Sequence, residues 1–443
     1  MEKEKPKSKP RRIIKKSIIL LILILTAWAV VIRMIPSPKP NIAIDYAAKI
    51  NKITKPENYD PNQNAALLRQ QAIEAYIGEP EDMPFYLSPH VGTKEIQSLD
   101  ESQFQIVKDW LNENEETLHY ATLAVQQPYF WDEIEHSQDE SIANILWNKV
   151  WIPRDIADAF ISRAWLNELN GDIDQAFNDL TSAYSLSSLT GNRQFSELSY
   201  ACRLRERIGW NIIDIIERRN PNHASLENLQ INLDQYKLPE ISRFFEIERL
   251  IYMDLVQRFF SDDGNGDGHL IAEIYVGETL NNMSGDINII DKIRYFFEYR
   301  RVIGELYDRA SKFDTRKLTV QKLEQIHAQA DLISKKTPWQ LQRETGETHW
   351  DNLRNFLSGH PLFEDFEREI RVCAYSIEKY HQGICSHQAL ITILAIKQYE
   401  AKEGNLPDSL QTLQKAGYIK TIPMDPYSPN PLAYKLTDEG FTL

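Results

Sequence analysis

155-DIADAFISRAWLNELNGDIDQAFNDLTSAYSLS-187 holds two amphipathic segments on either side of Gly171. Apolar residues recur every three to four positions in each segment, which predicts one helix over 155–170 and another over 172–187. Ala164, Ala176 and Ala183 carry the smallest apolar side chains, so two helices bearing them can approach closely. Gly171 permits the tight turn between them. The rest of the chain agrees with this local reading. Only 17 of 443 residues are glycine, 42% are hydrophobic and 10% aromatic. That balance supports real cores and predicts a mainly α fold rather than a sandwich or barrel.

Through Phe160, Ala164, Gly171, Ala176 and Ala183, the 155–187 pair resembles a tetratricopeptide-type helical hairpin. The resemblance implies an irregular, solenoid-like helical body with grooves that bind other proteins. A shift of 34 residues puts Leu198 and Trp210 where alanines are expected, so a regular array does not follow. A generic helical bundle is the competing reading. Helix patterns elsewhere in a body assigned to 64–380 cover 64–78, 101–126 and 139–150. Others follow at 193–219, 244–260, 290–310 and 320–334. A last one runs over 363–399, either continuous or broken near Gly383.

The N-terminus has its own logic. Residues 17–32 read SIILLILILTAWAVVI without a charge, and the apolar run extends to Ile35. A helix over 17–35 is long enough, at roughly 1.5 Å per residue, to nearly cross a hydrocarbon core of about 30 Å. Residues 1–16 place eight Lys and Arg beside two Glu, a basic tail that the positive-inside rule puts in the cytoplasm. The expected arrangement is a single-pass inner-membrane protein whose bulk is extracytoplasmic (periplasmic). Ala27-Trp28-Ala29 also has the form of a signal-peptide cleavage site, and either reading exports the bulk of the chain. Pro36, Pro38 and Pro40 open a spacer assigned to 36–63.

Net charge is −14, and the basic tail leaves the remainder near −20. Such a body repels phosphate backbones, so no nucleic-acid partner is expected. Cys202, Cys373 and Cys385 allow one disulfide or three thiols.

Two clusters invite a metal reading. In SDDGNGDGHL, Asp263, Asn265 and Asp267 alternate with glycines, as in the calcium loop of EF-hand or dockerin-type proteins. Hard oxygen ligands at every second position can converge on Ca²⁺, with the carbonyl of His269 adding another. The twelfth position, where a bidentate carboxylate belongs, is Ile274, and Glu273 lies one place early. A plain Asp/Gly-rich connector competes with the calcium reading. Cys373, His381, Cys385 and His387 have none of the usual transition-metal spacings and read as packed or surface side chains. Neither a GxSxG elbow nor a glycine-rich phosphate loop is present, so no catalytic residues are assigned.

The last stretch, 386–443, changes character. Tyr399, Gly404, Leu406-Pro407, Leu410, Pro423, Asp425-Pro426, Pro431, Tyr434 and Gly440-Phe441 make it similar to the C-terminal part of type II secretion pseudopilins. That resemblance implies a small α+β module: a helix, a short second helix from Pro407 to about Lys415, a Pro-rich loop and a hairpin over 432–436 and 441–443. A true pseudopilin places its membrane helix directly before this module, whereas here it lies far upstream. As a whole the chain resembles a group of bacterial membrane-anchored proteins, a resemblance that carries no activity with it. The function expected is a membrane-anchored scaffold or binding protein without catalytic activity, holding a protein partner in the cell envelope. An accessory subunit of a type II secretion or pilus-like assembly and an extracytoplasmic hydrolase are the alternatives.

Overall fold

The computed structural model describes residues 39–83, 100–147, 152–189, 193–272, 274, 314–357, 363–438 and 440–443. Fifteen α-helices and one two-stranded sheet lie among them, so the chain is mainly helical. In chain order the helices begin with α1 (Tyr46–Thr54), α2 (Ala66–Ala75), α3 (Glu101–Glu113), α4 (Glu115–Val125) and α5 (Ile142–Trp147). There follow α6 (Ile152–Leu169), α7 (Ile173–Leu186), α8 (Phe195–Arg219), α9 (His223–Asp234) and α10 (Ile241–Phe259). The last five are α11 (Arg316–Ser334), α12 (Pro338–Thr345), α13 (His349–Leu357), α14 (Phe363–Glu403) and α15 (Leu410–Ala416). Strands β1 (Lys435–Thr437) and β2 (Gly440–Thr442) pair antiparallel, with Leu436 opposite Phe441.

No helix among the described residues is long and apolar enough to cross a membrane. The segment 17–35, the basic tail and the helix expected over 290–310 lie outside the described residues.

The chain divides into two compact units, one of 1–41 with 259–311 and one of 42–258 with 312–443. The second unit is built around the α6–α7 pair. Asp172 caps α7 by accepting from the Gln175 amide at 3.0 Å, after Gly171 has turned the chain at φ +82°. Phe160, Ala164, Ala176, Leu180 and Ala183 are fully buried between the two helices and their neighbours. The core continues through Trp110, Tyr184, Ile208, Ile212 and Leu229 to Leu394 of α14. Charged groups tie the layers together. Glu168, fully buried, accepts from Arg218 at 2.7 Å and Arg219 at 3.0 Å, joining α6 to α8.

Four expectations change on contact with tertiary structure. The single helix expected over 101–126 is two helices that meet at Asn114. The Asn114 side chain is buried and bonds the backbone of Ile77 in both directions at 3.0 Å, which fixes the bend. The spacer assigned to 36–63 contains α1, whose Tyr46, Ala47 and Ile50 are buried. Helices α9, α12 and α13 are further elements that the sequence pattern does not mark, each of twelve residues or fewer. The boundary between 380 and 386 falls inside α14, whose 41 residues run without a break through Gly383.

The C-terminal segment packs a small core of Ala395, Ile396, Leu410, Leu413 and Ile419 under Tyr399, Tyr434 and Phe441. Its short helix spans 410–416 and its strands 435–437 and 440–442, against the expected 407–415, 432–436 and 441–443. Tyr434 Oη donates to the Pro407 carbonyl at 2.7 Å and so holds the hairpin approach against the turn before α15.

Candidate ligand-binding cleft

Three elements of the second unit, α9, α14 and the turn after α15, diverge around a cleft of about 1190 Å³. Their side chains set its width. The Gln398 amide of α14 donates to the Leu226 carbonyl at 3.3 Å and to Gln230 Oε1 of α9. Gln230 in turn donates to the Tyr418 carbonyl at 3.0 Å, which ties both helices to the turn. Each link is an ordinary neutral hydrogen bond, of about 1 kcal/mol net, but in series they define the walls.

The floor is polar. Tyr184 Oη and His387 Nδ1 lie 2.7 Å apart, and Ser185 Oγ reaches Tyr236 Oη. Arg205 donates from Nε to Ser187 Oγ at 2.6 Å and from Nη2 to Ser188 Oγ at 3.0 Å, with its guanidinium 5.3 Å from the Tyr184 ring centroid. Burial pushes His387 down to about 4, with Arg205 adding to the shift, so the imidazole is neutral near pH 7. Burial also raises Tyr184 to about 12, which keeps its hydroxyl protonated.

Four basic side chains line the cleft (Arg205, Lys237, Lys402 and Lys420) against two acidic ones, Glu227 and Asp234. In a chain of net charge −14 that local excess is opposite in sign to the whole. Lys420 and Asp234 meet at 3.5 Å on the rim, where both are well exposed. Two polar atoms of lining residues, Gln388 Oε1 and Tyr418 Oη, are buried without a hydrogen-bond partner.

Residues read as calcium ligands lie elsewhere, in the first unit. A narrow hairpin closes through Ile271 N to Phe259 O at 2.7 Å, Ser261 N to His269 O at 2.9 Å and Asp263 N to Asp267 O at 2.7 Å. Asp263 Oδ1 accepts the amides of Asn265 and Asp267, at 2.7 and 3.1 Å, and Asp267 Oδ1 accepts that of Gly268. The His269 carbonyl takes the Ser261 amide and hydroxyl. These hydrogen bonds hold the loop in shape. Gly264 and Gly266 have positive φ, whereas Gly268 is needed for close approach: a β-carbon there would lie 2.0 Å from Ser261 O. Glu273 lies outside the described residues. Among the described residues no three His, Cys, Asp or Glu side chains gather as a metal group.

All three cysteines are thiols, with Cys202 and Cys373 buried. His381 stacks on His349 at 5.7 Å between ring centroids, away from His387. The cleft residues carry no sequence signature, because Gln230, Gln398, Tyr418, Arg205 and His387 are drawn from four separated segments. Only the density of Gln, Tyr and Lys in 380–420 hinted at a polar surface there.

Comparison with protein-family models, curated proteins and solved structures finds no match.

Proposed function

We propose that the chain is a membrane-anchored, extracytoplasmic binding protein without catalytic activity, and that it holds an envelope component in the cleft between α9, α14 and the turn after α15. The observation that carries this reading is the cleft itself. Its volume of about 1190 Å³ is ample for a solute, and it is walled by amides and tyrosines tied in series. Such groups orient a bound molecule through several directional hydrogen bonds. The segment 17–35 would supply the anchor and the basic tail its orientation. In this reading the tetratricopeptide-like pair is the support on which the cleft is built, and the pseudopilin-like segment contributes its outer wall.

Exposed Gln235 on the cleft wall offers a direct test. The full chain in detergent micelles, incubated with cell-envelope extract, retains a component that the Gln235→Trp variant does not. Equal retention by both proteins would remove the cleft from the account. A reporter fused after Leu443 is expected outside the cytoplasm, and cytosolic signal would overturn the topology.

A further inference from the structure

Arg205 is 6% exposed, yet no carboxylate among the described residues lies within ion-pair distance of it. Three other buried guanidiniums are treated differently. Arg193 meets Asp132 and Glu197, Arg207 meets Asp158, and Arg258 meets Asp254. A buried cation left with two hydroxyls and one aromatic face is poorly compensated, because desolvation costs far more than neutral hydrogen bonds return. Arg205 also lines two cavities, the cleft of about 1190 Å³ and a second of about 690 Å³ on the other side of α14. Both are within reach of a solute.

The remaining polar features of the cleft specify more than charge. Gln388 Oε1 is an acceptor without a donor, and Tyr418 Oη is a hydroxyl without a partner. An occupant that satisfies them carries hydroxyl or amine hydrogens as well as negative charge. Lys237 and Lys402, both exposed, add positive potential at the mouth. Tyr236, Tyr380 and Tyr418 offer ring faces and edges for the body of such a molecule.

We infer that the cleft binds a polyhydroxylated anion, a sugar acid or sugar phosphate, whose charged group meets the Arg205 guanidinium and whose hydroxyls meet Gln388 and Tyr418. This rests on the cleft being the binding site proposed above and deepens it by naming the ligand class. Carboxylate and phosphate are equivalent to a guanidinium fork in kind, since each presents two oxygens in one plane.

The test is calorimetric titration of the full chain in detergent micelles with glucuronate, glucose 6-phosphate and glucose. At least one of the two acids is expected to bind about tenfold or more tighter than glucose. Which acid leads distinguishes a carboxylate source from a phosphate source. Arg205→Met is expected to abolish that preference. Tyr418→Phe guards against a misfolded variant: losing an unsatisfied buried hydroxyl leaves the unfolding midpoint unchanged or raised, while acid binding weakens severalfold. Equal affinity for glucose and the acids overturns the anion assignment. So does Arg205→Met that is folded and binds as wild type, or the absence of heat for all three sugars at millimolar concentration. Retention of an envelope component lost in Gln235→Trp would in those cases leave the broader binding reading standing.

Discussion

Cys202 Sγ lies 2.7 Å from where a β-carbon on Gly383 would sit, so α8 and α14 touch at a point that only glycine can fill. Leu238 Cδ1 closes the same spot at 3.3 Å and Cys202 Cβ at 3.2 Å. Glycine mid-helix costs about 1 kcal/mol against alanine in propensity, yet here close packing outweighs it. Gly383→Ala is therefore expected to destabilise the fold by about 1–3 kcal/mol in urea unfolding. Adding Cys202→Ala should recover part of the loss, and an unchanged midpoint in the single variant would refute the contact.

The same contact governs thiol chemistry. Burial pushes Cys202 up to about 11, so little thiolate forms near pH 7. Maleimide labelling of the native chain should leave Cys202 unmodified while denatured chain reacts at all three cysteines. Rapid native labelling at Cys202 would show that α8 and α14 separate.

Glu248 introduces a pH dependence. It is buried, accepts the Phe195 amide at 2.8 Å, and is pushed up to about 7 by burial, with Glu197 adding to the rise. Between the ordinary carboxyl value of 4.5 and about 7, the folded chain keeps a proton that the unfolded chain has released. The stabilising contribution of this group is thus greatest at or below pH 4.5, falls as pH rises through that window, and is flat above it. Urea unfolding at pH 5 and pH 8 should show a loss on the order of a few kcal/mol from this group in the wild type. Glu248→Gln should lack that component, and an identical pH profile in the two proteins would contradict it.

Asn114 predicts the cost of straightening a helix. Its amide joins the α3–α4 junction to the Ile77 backbone, and Trp110 Nε1 donates to the same Ile77 carbonyl at 3.0 Å. Asn114→Leu removes both bonds to Ile77 and a third, from Asn114 Nδ2 to the Trp110 carbonyl at 2.9 Å, and is expected to cost about 2–4 kcal/mol. Trp110 fluorescence should shift red in the variant if the junction opens as expected.

The Asp263 loop is held by its own hydrogen bonds, so Gly268→Ala should disturb it more than chelation does. Hydrogen exchange at the Asn265 and Asp267 amides should accelerate in the alanine variant. Exchange is expected to stay unchanged on adding EDTA. Acceleration by EDTA alone would instead assign the loop to a bound cation.

Helix periodicity, the Gly171 turn and the alanines of 164, 176 and 183 were legible in the chain because each depends on near neighbours, and the mainly α class followed from them. The C-terminal hairpin was expected from the resemblance of 386–443 rather than from local pattern, and its strands moved by up to three residues. Local pattern did not reveal the bend at Asn114, which is set by a backbone partner 37 residues away. Nor did it reveal that Gly383 belongs to an unbroken helix, since the reason is Cys202 on another element. The cleft lay furthest out of reach. Arg205, Gln230, His387 and Tyr418 share no spacing, and only the meeting of α8, α9, α14 and the last turn brings a buried cation, two unsatisfied polar atoms and three tyrosines to one place. Secondary structure is a short-range property of the chain, whereas the desolvation and pairing of charges depend on which distant segments pack together.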